Sequence, residues 1–137
     1  MLSTERWPLV VVRMPPQLSI QELESHFAKL FDAVQSKAGP FVFLTDTTSA
    51  QLSAFTARHR SCVAAHMERI HPYIAHRCVG SAFVINSATA QGILRAIRWL
   101  FPPSWPTASF ACEREALQWA YRKLGAQDAD ELLDTLC

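Results

Sequence analysis

Glycine is scarce in this 137-residue chain, which holds only four, and none falls in a GxGxxG or GxxxxGK[ST] pattern. The backbone loops that cradle nucleotide phosphates are therefore missing. GxSxG, the turn that lifts a nucleophilic serine above a sheet, is missing as well. Charge is sparse: 18% of residues are Asp, Glu, Lys or Arg, and the net charge is +1. That balance argues against a partner held by bulk charge, whether nucleic acid or an acidic bilayer surface. The four cysteines (Cys62, Cys78, Cys112 and Cys137) form no CxxC pair, and their spacings match no disulfide framework. No apolar run approaches the ~20 residues that span a bilayer. The first residues lack the basic start and apolar stretch of a signal peptide. These absences predict a cytoplasmic chain with no cofactor, no nucleic-acid partner and no integral membrane association.

What is present is a core. Half the residues are apolar, and the length suits one domain and not two. Residues 9–14 (LVVVRM), between Pro8 and Pro15-Pro16, read as a strand buried on both faces. Ser19 with Glu22 forms a capping box at the head of a helix carrying Leu23, Phe27, Leu30 and Val34 on one stripe. Gly39-Pro40 ends it. Residues 41–44 (FVFL) form the next strand, and Thr47, Thr48 or Ser49 is expected to cap a helix that carries Leu52 and Phe55 and stops at His71-Pro72. A third strand over residues 78–85 leads through Asn86-Ser87 to a helix with Leu100 and Phe101 inward. Residues 107–111 make a fourth strand, and Glu113 and Glu115 suit the start of the last helix. Four strand-helix alternations predict an α/β domain over residues 1–125, with a mostly parallel 4–5-stranded sheet covered by helices. Residues 126–137 are an acidic tail.

Charge is uneven along the chain. Between Thr47 and Cys112 six arginines face the single acid Glu68, whereas from Glu113 onward six acids outnumber three bases. Four groups of residues are candidates for chemistry. His59, Cys62 and His66, at i, i+3 and i+7, share a helix face and offer donors that zinc accepts. Because Phe55, Val63 and Met67 lie on the same face, the expectation is core packing and no metal, with this trio as a weak candidate. Asp46 stands at the carboxyl end of a strand, where open α/β sheets place functional groups, although a turn residue there serves local amides equally well. Asp46, Thr47, Thr48 and Ser49 together form a polar turn where a helix start would stabilise phosphate. Trp99, Phe101 and Trp105 crowd the proline-rich WLFPPSWP segment, with Arg95 and Arg98 just before it. Aromatic anchors with a charged rim suit an interface.

The strand FVFLTD, the turn TTSA, the strand CVGSAFVIN and the ending ASFACEREALQWAYRKL resemble the SpoIIAA-like group of STAS domains, whose shape is shared with SEC14-type lipid-binding domains. The resemblance covers residues 7 to 125. It implies a phosphorylatable serine in an Asp-Ser-Ser-Gly-like turn, and Asp46-Thr47-Thr48-Ser49 is the matching segment, with alanine in place of glycine. The N-terminal strand is missing or very short. The resulting expectation is a non-enzymatic regulatory module that binds a protein partner or itself. The alternative is a carrier with an apolar cavity between helices and sheet, for a lipid or other small ligand. A metal-dependent or hydrolytic enzyme is a third reading.

Overall fold

The computed structural model describes residues 1–125; the acidic segment 126–137 lies outside the described residues. The elements run β1 (Leu2–Ser3), β2 (Leu9–Arg13), α1 (Ile20–Gln35), β3 (Phe41–Asp46), α2 (Ala57–Ile74), β4 (Cys78–Val84), α3 (Ala88–Leu100), β5 (Thr107–Phe110) and α4 (Glu113–Lys123). A single 3-10 turn, Leu52–Ala54, precedes α2. The sheet order is β1-β2-β3-β4-β5. Strands β2 to β5 are parallel, and β1 adds an antiparallel edge through Leu2 opposite Val12 and Ser3 opposite Val11. The chain is an α/β domain with a mostly parallel five-stranded sheet.

Strand order that follows chain order has a direct consequence. Right-handed crossovers stepping always in one direction set their helices on one face. Accordingly α1 and α2 pack on Val10, Phe41 and Phe43, while α4 alone packs on Leu9, Val11, Val42 and Leu44, the alternate residues of the same strands. That two-residue alternation explains why β2 and β3 are continuous apolar runs: both faces are covered. On the α4 side, contact is so close that a Cβ on Gly80 would stand 2.7 Å from the Trp119 ring.

Several local expectations change. Ser19 accepts from the Glu22 amide at 3.0 Å as foreseen. The second helix, however, begins at Ala57, and its cap is Thr56. Thr47, Thr48 and Ser49 lie before the 3-10 turn, so Leu52 and Phe55 precede the helix instead of riding on it. Pro72 sits inside α2, which runs on to Ile74. Its missing N–H takes only one donor from the last turn, and the helix end is closed by Ala75 N–H to the His71 carbonyl and Arg77 N–H to the Ile74 carbonyl. Leu100, expected inward, is 55% exposed. Arg77 is absorbed structurally. Its guanidinium donates to the carbonyls of Val34 (3.2 Å), Lys37 (2.9 Å) and Gly39 (3.0 Å), filling acceptors that the end of α1 leaves open.

Candidate functional site

Trp105 is the first aromatic the fold reassigns. It is 6% exposed, its indole N–H donates to Ser81 Oγ at 2.8 Å, and His71 stacks on it at 5.4 Å. A buried indole with its one donor satisfied is core, which overturns its place in a surface interface. Phe101 is half-buried against His71. Trp99 stays outside at 88% exposure. Arg95 and Arg98 are also exposed, and neither forms an ion pair among the described residues.

The polar turn is occupied with itself. Asp46 accepts from the Thr48 amide at 2.9 Å and the Thr48 hydroxyl at 2.7 Å, and it pairs with Arg13 at 2.9 Å. Arg13 also pairs with Glu113, tying the ends of β2 and β3 to the start of α4. Burial works to raise the Asp46 carboxyl, but the Thr48 bonds and the Arg13 charge outweigh it and hold the group below its ordinary value. Thr47 Oγ1 donates to the Val84 carbonyl at 2.9 Å. With α2 starting eight residues beyond Ser49, the amides and dipole of that helix do not begin at this turn, where they were expected to hold phosphate.

The histidine-cysteine face separates. His59 Nδ1 accepts from the Thr56 amide at 3.2 Å and Nε2 donates to the Leu18 carbonyl at 2.7 Å, which commits both ring nitrogens. His59 is therefore a cap and a tie to the residue just before α1, and it leaves Cys62 and His66 without it. Their third neighbour is Glu24 of α1: one donor atom from each of Glu24, Cys62 and His66 lies within 4.8 Å of the others. Burial, then Glu24, pushes the Cys62 thiol up, and burial with Arg69 pulls His66 down. Cys78 is buried, its thiol pushed up to about 12, and behaves as a small hydrophobe.

A larger, more polar hollow of about 720 Å³ lies against Arg95, Arg98 and Trp99, but the most apolar one is a feature that no motif announces. Between the three-helix layer and the sheet lies an apolar cavity of about 190 Å³ that is partly open to solvent. Phe43 and Phe83 floor it, Phe27 of α1 and Met67 of α2 wall it, and Ile93 and Ile97 of α3 close the far side. α3 is strongly amphipathic in sequence yet fully buries only Ala90 and Leu94; much of its apolar stripe lines empty space instead of packing on side chains. Few polar groups reach this space. Ser81 already accepts from Trp105. Arg98 reaches the rim.

The exception is His26. It is 9% exposed, it lines the cavity, and its ring nitrogens bond to nothing among the described residues. Desolvation, aided by the positive N-terminus and Lys29, pulls its pKa down to about 4. The ring is neutral at ordinary pH, with one donor and one acceptor, and neither nitrogen is both fully buried and unpartnered. His26 could have been singled out from the sequence as the one polar residue on the stripe Leu23-Phe27-Leu30-Val34. Comparisons with protein-family models, with curated proteins and with solved structures return no match to this chain.

Proposed function

We propose that this chain is a non-enzymatic binding domain that takes a small, neutral, largely apolar molecule into the chamber beneath α1, α2 and α3. The cavity of about 190 Å³ carries the reading. It equals roughly six waters at ~30 Å³ each, but water needs two to four polar partners, and these walls offer few. Sealed apolar voids of ~150 Å³ accept ligands such as benzene, and this pocket has comparable volume and apolar walls with an opening for entry. His26 supplies the directional contact, so the favoured ligand carries one hydroxyl or comparable hydrogen-bonding group. An anion deep inside would lie desolvated beside a neutral imidazole, which disfavours it. The resemblance to SpoIIAA-like domains, drawn from FVFLTD and the TTSA turn, belongs to the same proposal. It supports a binding role over a chemical one.

Phenol and toluene, nearly equal in size, test the reading by calorimetry. The expected result is that both bind and phenol binds about tenfold tighter, the ~1.4 kcal/mol of one added hydrogen bond. His26→Leu should equalise them, and Ala90→Leu, which fills the chamber, should abolish both. If neither ligand binds the native protein, the proposal fails. One observation favours a second reading, attachment to a protein partner or a second copy: Trp99 at 88% exposure, beside the unpaired Arg95 and Arg98. On that reading Trp99→Ala reduces self-association in sedimentation while leaving the melting temperature unchanged.

A further inference from the structure

We propose that Glu24, Cys62 and His66 form a binding site for a zinc-class divalent ion that clasps α1 to α2. The proposal does not depend on the cavity. Cys62 and His66 are four residues apart on α2, so both side chains rise from one face of the helix. Glu24 reaches them from α1. The three donor atoms lie within 4.8 Å of one another, and no side-chain hydrogen bond joins any of the three to another described residue. Around one tetrahedral zinc, with bonds of about 2.0–2.3 Å, neighbouring donors stand roughly 3.3–3.7 Å apart. The trio therefore needs to close by only about 1 Å, within reach of an exposed glutamate side chain.

The donor set selects the ion. Thiolate, imidazole and carboxylate together suit zinc and its relatives, whereas magnesium and calcium take oxygen alone. One carboxylate and one thiolate cancel the charge of a divalent ion. The His66 ring is already oriented: it lies parallel to Phe27 at 4.9 Å with 5° between the planes. Glu24 is exposed, so the fourth position faces solvent and takes water. Arg58 and Arg69 lie close enough to act on Cys62, and their charge keeps the affinity below that of closed four-ligand sites.

Cobalt(II), a coloured stand-in for zinc, tests this on the full chain, stripped with chelator and reduced. The expected titration shows one equivalent bound with a sulfur-to-cobalt charge-transfer band, displaced by zinc. Zinc should also raise the melting temperature of the native protein by a few degrees. Removing even an outer-shell partner weakens a metal site 10- to 100-fold, so Cys62→Ala, His66→Gln and Glu24→Gln should each cost about tenfold or more. Cys112→Ser, at an exposed thiol distant in sequence, should cost nothing. Glu24 is exposed and its substitution leaves packing intact, so loss there cannot be misfolding. Three results would overturn the site: no charge-transfer band, a band that survives Cys62→Ala, or cobalt binding indifferent to Glu24→Gln, meaning an adventitious ion only. None of these touches the cavity reading, which phenol and toluene decide separately.

Discussion

The two faces of the sheet are built from alternate residues of the same strands, yet one is solid and the other hollow. A single helix, α4, seals the first. Its small residues Ala116 and Ala120 let the backbone sit low, Leu117 fills the middle, and Gly80 leaves room for Trp119. Three helices cover the second; α1 and α2 pack on it with bulkier aromatic and aliphatic side chains, and the cavity opens beside them under α3. Close packing follows from small residues at the contact, not from the number of helices laid over it. The hollow face also carries the neutral His26 and the Glu24–Cys62–His66 cluster. The solid face carries the Arg13 ion pairs.

The largest effect that would separate the faces is a pair of truncations. Leu117→Ala should cost about 4 kcal/mol, because it opens a new void in a filled region, while Leu94→Ala, beside an existing void, should cost about 2 kcal/mol. Equal losses in urea unfolding would break the contrast. Next comes acid. The unfolded His26 ring takes a proton as pH falls below about 6.5, while the folded ring resists until about 4, so protons favour unfolding across that window. The accumulated loss is about 3 kcal/mol at its low end. His26→Leu should flatten that part of the stability profile; an unchanged slope would mean that the hollow face is wet.

Added volume gives a third contrast. Ala120→Leu should cost about 2 kcal/mol through overpacking, whereas Ala90→Leu, pointing into the chamber, should cost less than about 0.5 kcal/mol or stabilise. Thermal melts of the two variants decide it. The smallest effect belongs to the solid face. Asp46→Asn should cost about 1 kcal/mol near neutrality. Because the folded carboxyl sits below its usual pKa, that stability is present above the ordinary aspartate range and disappears as pH falls through the folded value. Native and variant proteins should therefore converge in acid, and a gap that persists there would assign the loss to geometry instead of charge.

Much of the fold was legible because periodicity is a local property. Residues 9–14 read as a strand covered on both faces, FVFL read as a strand and Ser19 as a cap, and the fold has all three, with the first strand ending at Arg13. Boundaries set by competition were not legible. Thr56 wins the cap of α2 because His59 reaches back to it and Leu18 holds the other side of the ring. Thr47 and Thr48 lose it because the Val84 carbonyl and Asp46 claim their hydroxyls. Trp105 looked like surface in a run of prolines until Ser81, 24 residues away, gave its indole a partner. On the His59–Cys62–His66 face, helical spacing put Cys62 near His66, as the fold has them, but only the packing of α1 on α2 could bring Glu24 beside both.

By itself the sequence determined that strands and helices alternate, that the sheet is mostly parallel, and that the strand at residues 9–13 is buried on both sides. Each of these follows from hydrophobic periodicity and from the short reach of caps and turns. Only the tertiary structure decided which groups face one another: His26 in the lining of the cavity, His59 toward a backbone carbonyl, Glu24 toward a thiol and an imidazole. Those pairings depend on how closely separate helices approach the sheet, and that distance is set by the summed volumes of side chains far apart along the chain.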